Sequence, residues 1–212
     1  MTENRFTADA IARRQAYVVG QPPRIAPLRP EELTQSALDT AARIAGAAGS
    51  GASVKSASDV PEILATMLRH PTLTEKLMGL SIHLYTQSTL SPRDRELLVL
   101  RTEWLCQTPF EWSEHVAISK AVGVSSDEIE RITDGSTAPG WNEDDRALIR
   151  AAEELHATAM ISDEVWAILA KRLNEQQLFE LTVVVGYYTL VAYFENALRL
   201  RLRAGNVGLG AR

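Results

Sequence analysis

The sequence predicts an all-α protein, and three observations carry that expectation. Apolar residues recur at helical spacing through most of the chain. Segments repeatedly open on Ser, Thr, Asn or Asp followed by Pro or an acidic residue, the composition of helix starts. Alternating β-branched runs bounded by Asn-Gly or Asp-Gly turns, which strands and hairpins require, are missing.

Residues 7–18 read as a short helix, broken by Gln21-Pro22-Pro23. Residues 1–23 are an N-terminal arm for which surface packing, packing on a neighbouring subunit, and disorder are all open. Residues 24–58 hold an N-terminal helix and a connector. The helix spans 30–45, with Pro30 at its start and a stripe of Leu33, Ala37, Leu38 and Ala41; the connector, 46–58, is a flexible Gly/Ala/Ser tract. Residues 59–205 form the main helical domain. Asp59-Val60-Pro61 opens a helix to residue 69, and Pro71 opens another carrying Leu73, Leu77, Leu80 and Leu84. His70 is expected near a helix C-terminus, where a cationic imidazole suits the dipole. His83 is expected to pack.

Residues 91–130 are the centre of the chain. Ser91 caps a helix with Pro92 in its first position, apolar nearly all round through Leu97, Leu98, Val99, Leu100, Trp104 and Leu105. Thr108 and Pro109 start a second helix ending near Gly123, and Ser125 with Glu128 starts a third through a capping box. On the second helix, Glu111, His115, Ile118 and Val122 share the apolar face, opposite Ser113, Glu114 and Lys120. Glu111 and His115 stand one turn apart, so the carboxylate reaches the imidazole. Glu96 and Glu103 share a stripe with Val99 and Leu100 on the preceding helix. Ionisable groups on interior faces have displaced pKa values, which is what acid–base chemistry uses.

Each of these residues also has a plainer reading. Glu111 can close a capping box with Thr108, Glu96 can pair with Arg93, and Glu103 is expected in a buried ion pair. Cys106 lies just before the helix start at Thr108, where a thiolate gains support, but a lone cysteine is more often an inert small hydrophobe.

Further along, Asn142 and Asp145 start a helix through Leu148, Ala151, Ala152 and Leu155, with His156 exposed near its end. Ser162 caps another with Val165, Trp166, Leu169 and Leu173. Asn174 caps the last, from 175 to about 203, which is apolar on almost every face and so belongs to the core or a subunit interface. Glu96, Leu97, Val99, Phe110 and Glu111 recur at the same spacing as Glu180, Leu181, Val183, Phe194 and Glu195, a weak internal helical repeat in which Arg199 stands for His115. Tyr187, Tyr188 and Glu195 are assigned to core or interface packing.

Bulk properties bound the function. A chain of 212 residues with 45% hydrophobic and 23% charged content fits one domain with an appendage. A net charge of −5 without a basic run argues against nucleic acid. The single cysteine excludes an internal disulfide and suits a reducing compartment. No apolar leader is present and no stretch approaches about 18 apolar residues, so no membrane is expected and a cytoplasmic location is the default.

The strings RDRELLVLRTEW, CQTPFEWSEH and AVGVSSDEIE resemble the carboxymuconolactone decarboxylase family, which also contains alkylhydroperoxidase D. PRIAPLRPEEL, LRHPTL and VVVGYYTLVAYFENAL extend the similarity over residues 27–202. The resemblance implies an alkylhydroperoxidase D-like helical bundle. The peroxidase branch is matched at its acid, Glu96, and its histidine, His115, but its cysteine pair falls on Thr108 and Glu111, so no dithiol cycle runs there. The decarboxylase branch is matched by Glu111 four residues before His115, although an acid at position 96 is unusual for it. In function the resemblance implies an acid–base enzyme of decarboxylase, lyase or isomerase type acting on a small organic acid or lactone, with aromatic catabolism as one setting. His115 would move the proton, Glu111 would fix its tautomer, and Glu96 would be a second proton carrier or a substrate anchor. No metal or other cofactor is implied, and a homo-oligomer is. Two other functions stay open: a thiol-dependent hydroperoxidase or redox sensor using Cys106, and a non-catalytic oligomeric binding protein.

Overall fold

The computed structural model describes residues 6–47 and 54–212, and among these every regular element is helical. In chain order the helices are α1 (Ala8–Val19), α2 (Gln35–Ala47), α3 (Glu62–Met67), α4 (Pro71–Thr86), α5 (Pro92–Cys106), α6 (Pro109–Ala121), α7 (Ser126–Asp134), α8 (Glu143–Thr158), α9 (Asp163–Leu169) and α10 (Glu175–Leu198). They form two compact units. One is Pro23–Ser88, and the other joins the N-terminal helix to Thr89–Arg212. The boundary expected at residue 58 falls inside the smaller unit.

In the smaller unit α2 packs on α4 around Ala37, Ala41, Ile44, Leu64 and Leu68. The continuous helix expected over 30–45 is divided. Glu32 folds back onto the Arg29 N–H at 2.8 Å and closes a single turn at Pro30–Glu32; Leu33 is extended, and the Thr34 hydroxyl then caps α2. Most of the expected connector, 48–53, lies outside the described residues, as do residues 1–5 of the arm. His70 differs from its expected role. Its Nδ1 accepts the Leu73 N–H at 3.3 Å, so the ring is the N-cap of α4 rather than a cation at a helix C-terminus. His83 is exposed.

In the larger unit α5 is the axis, packed against α6, α7, α8 and α10 and buried from Asp94 to Leu105. Its arginines and Asp94 are tolerated there because they are paired. Arg101 donates to the carbonyls of Ile132 and Thr133 and meets Glu153 at 2.8 Å; Asp94 accepts from Arg172 at 2.9 Å. Arg93, the partner that spacing offers Glu96, goes instead to Asp145 and Glu128. The Ser91 hydroxyl caps α5 on the Asp94 N–H at 3.0 Å.

Two further differences concern α10 and α1. The helix α10 stops at Leu198, because Arg199 turns left-handed at φ 57°, short of the expected 203. It is also long and apolar enough to cross a membrane by length and composition, contrary to the expectation that no stretch comes near that limit. Half of its most apolar window is buried inside the protein against α5 and α8. Because it runs unbroken where the matching first segment divides between α5 and α6, the sequence recurrence does not extend to a repeated architecture. The N-terminal helix is docked: Phe6 stacks on Trp104 with centroids 6.2 Å apart, and Val18 is buried. Trp104 and Trp112 lie 4.8 Å apart, with the Arg212 guanidinium over both.

Candidate active site

The site is built where α5 turns into α6. Gln107 takes the left-handed conformation, φ 49°, that ends α5, and its N–H returns to Trp104 O at 3.1 Å. Thr108 and Pro109 then start α6 in a new direction. The Thr108 side chain does not cap α6; its Oγ1 accepts from Asn196 of α10 at 3.3 Å. Glu111 is therefore free of the capping box and turns to His115.

The buried stripe of α6 is Trp112, His115, Val116 and Ser119, rotated from the expected one because Trp112 packs on Trp104. That rotation leaves Glu111 at the edge. His115 Nδ1 lies 2.7 Å from Glu96 Oε2, and Nε2 lies 3.3 Å from Glu111 Oε2. Arg95 supports the far oxygen of Glu96 at 3.2 Å, and Tyr188 of α10 meets the imidazole edge-on with centroids 4.9 Å apart. Side-chain exposure is 0% for Glu96, 5% for His115 and 19% for Glu111, so only one of the three faces solvent.

The electrostatics reflect this arrangement. Burial opposes charge on His115, but the Glu96 carboxylate and the Glu111 hydrogen bond outweigh it and hold the imidazole well above its ordinary value. Burial likewise works against the Glu111 carboxylate, and the contact with His115 brings it below the usual range. Glu96 and Glu111 thus face an imidazolium between them.

Two residues assigned other roles by sequence belong here. Glu103 was expected in an ion pair, yet no cation reaches its oxygens; burial and then the Glu111 charge push its carboxyl well above the usual range, against the smaller opposing pull of His115 and the Thr108 hydroxyl. Glu195, on α10, is buried with the Glu111 side chain and backbone N–H against its carboxyl. Tyr188 is also raised, by burial and then by the charges of Glu111, Glu96 and Glu103. The one signal for Glu195 was its recurrence at the spacing of Glu111.

Cys106 is the last residue of α5, so it stands at the C-terminal end of that helix as well as just before α6. Its Sγ lies 3.8 Å from Nδ1 of His156, which is half-buried on α8 rather than exposed. Among the described residues no group of three His, Cys, Asp or Glu side chains is arranged to hold a metal ion.

Solved structures share this architecture. An uncharacterised peroxidase-related protein from Silicibacter sp. TM1040 superposes with a TM-score of 0.68 at 15% identity, over 88% of this chain and 96% of the other. The alkylhydroperoxidase AhpD core protein from Ralstonia eutropha JMP134 gives 0.67 at 14%, over 87% and 94%. The apo debrominase Bmp8 gives 0.66 at 16%, over 85% and 92%. At such identities the likeness establishes a fold, and that fold is the alkylhydroperoxidase D-like helical bundle. Residues 71–154 match the carboxymuconolactone decarboxylase family, and the positions of the peroxidase branch's cysteine pair hold Thr108 and Glu111. No curated protein matches it significantly in sequence.

Proposed function

We propose that the protein is an acid–base enzyme that decarboxylates a small organic acid or lactone, or carries out related lyase or isomerase chemistry on it. One observation carries this reading: the His115 ring is held between the Glu96 and Glu111 carboxyl groups in a buried site, and of the three only Glu111 reaches solvent. Both ring nitrogens of His115 are occupied, which supports Glu111 as the group that exchanges a proton with the substrate carbon. His115 then sets the proton affinity of Glu111, and Glu96 with Arg95 fixes the ring. The family match over residues 71–154 and the debrominase among the structural neighbours support enzymatic activity for this scaffold.

The test is an NMR time course in D₂O with unsaturated lactone acids and β-keto acids. Wild type should release CO₂ from a panel member or wash deuterium into an acidic carbon, and Glu111→Gln should lose at least about 10²-fold in rate. Undiminished turnover by that variant would remove Glu111 from the reaction.

The Cys106–His156 pair favours a second reading, reduction of a hydroperoxide by the thiolate, which leaves a sulfenate on Cys106 and releases the alcohol. An external thiol would then restore the cysteine. A Cys106 that remains unmodified after peroxide treatment, by mass spectrometry with a sulfenate trap, disposes of it.

A further inference from the structure

Glu195 has no part in the reading above, although it sits at the end of α10 against the site. It is 2% exposed; the Glu111 backbone N–H approaches its carboxyl, and neither oxygen has a well-formed hydrogen bond. A carboxylate there would lose water for little donor support, a situation that neutralisation avoids. A protonated carboxyl is at ease in the same place if its O–H finds an acceptor. That acceptor is Glu111, whose side chain meets that of Glu195; two carboxyl groups in such contact share a proton, since both cannot be ionised.

The groups facing Glu195 offer it little else. From α5 this is Glu103, itself buried, and from α6 it is Glu111. Arg203, whose charge is felt at Glu111, forms an ion pair with Glu114.

We propose that Glu195 is the proton store of this site: at neutral pH it carries the proton that passes through Glu111 to the substrate. The inference rests on the acid–base reading. In a decarboxylation the bond to the departing carboxylate breaks, CO₂ leaves, and the electron pair stays on carbon. The Glu195 O–H passes its proton to the Glu111 carboxylate, and the pair on carbon takes that proton from Glu111. The Glu195 carboxylate then recovers a proton from water by way of Glu111, the solvent-facing member, and His115 stays protonated throughout. Burial, followed by the charges of Glu111 and Glu103, pushes the Glu195 carboxyl well above the usual carboxylate range, in keeping with this role.

The decisive experiment needs no substrate. Carboxyl-labelled glutamate in the whole protein, followed by carbon NMR against pH, should show Glu195 protonated at neutral pH. Glu195→Gln, which keeps a donor for Glu111 but cannot titrate, should show one protonated carboxyl fewer, with the His115 titration unmoved. An equal number of protonated carboxyls in the variant and the wild type overturns the proposal. With any compound that wild type turns over, Glu195→Gln should lower kcat by about 10²-fold at unchanged KM. Full kcat in the variant also overturns it. Failure of wild type to turn over any compound counts against the acid–base reading alone, because the labelled-carboxyl titration decides the state of Glu195 separately.

Discussion

His115, Glu103 and Glu195 each hold a proton more tightly in the folded protein than in the unfolded chain. The folded state therefore binds more protons than the unfolded state over the range between the two sets of values, and stability falls as pH rises there. For the two carboxyls the loss begins above about 4.3, and for His115 above about 6.5, their unfolded values. Glu111, lowered in the fold, acts in the opposite sense and loses its contribution as pH falls through its folded value. Urea unfolding from mildly acidic to alkaline pH should show a downward slope, and Glu103→Gln, which removes one of these titrations, should make it shallower; an unchanged slope would mean that Glu103 is ionised. Helical spacing alone places Glu96 and His115 on interior faces, where they lie, whereas Glu111, expected there too, stands at the edge. The missing Glu103 ion pair and the approach of buried Glu195 to Glu111 depend on tertiary packing, which periodicity does not report.

Helix starts were legible for a local reason: the capping side chain and the N–H it serves are three residues apart in sequence. Asn174 is such a case, with Oδ1 accepting the Gln177 N–H at 2.9 Å while Gln177 returns to the Asn174 N–H at 3.0 Å. Because α10 packs on α5 and carries Tyr188 and Glu195, Asn174→Ala should cost about 1 kcal/mol of global stability. The urea midpoint should drop with an unchanged m-value, and no shift would show that the cap is redundant. Helix ends were harder to place. Gln107 and Arg199 adopt left-handed backbone without being glycine or asparagine, so composition gives no warning of either stop. The Gln107 stop matters more, since it sets the α5–α6 angle that brings Glu96 to His115.

At the scale of the whole molecule, the all-helical class was legible throughout, and what remained hidden was which faces the folded chain leaves uncovered. On α10, Phe179, Val183, Gly186, Leu190 and Tyr193 succeed one another every three or four residues along one side; Phe179 and Tyr193 are about two-thirds exposed or more, at 71% and 67%. The homo-oligomer expected from sequence has in this stripe an apolar surface suited to a second copy. Light scattering should give a mass above that of the 23.3 kDa chain, and Tyr193→Asp should reduce it; a monomer before substitution would refute self-association. The tryptophan pair behind the site carries a different consequence. Trp104 on α5 and Trp112 on α6 are close enough for their excited states to couple, and they flank the bend that holds Glu96, Glu111 and His115 together. A compound that alters this bend on binding would change the near-ultraviolet circular dichroism of the pair, so the unlabelled protein carries its own optical gauge of site geometry.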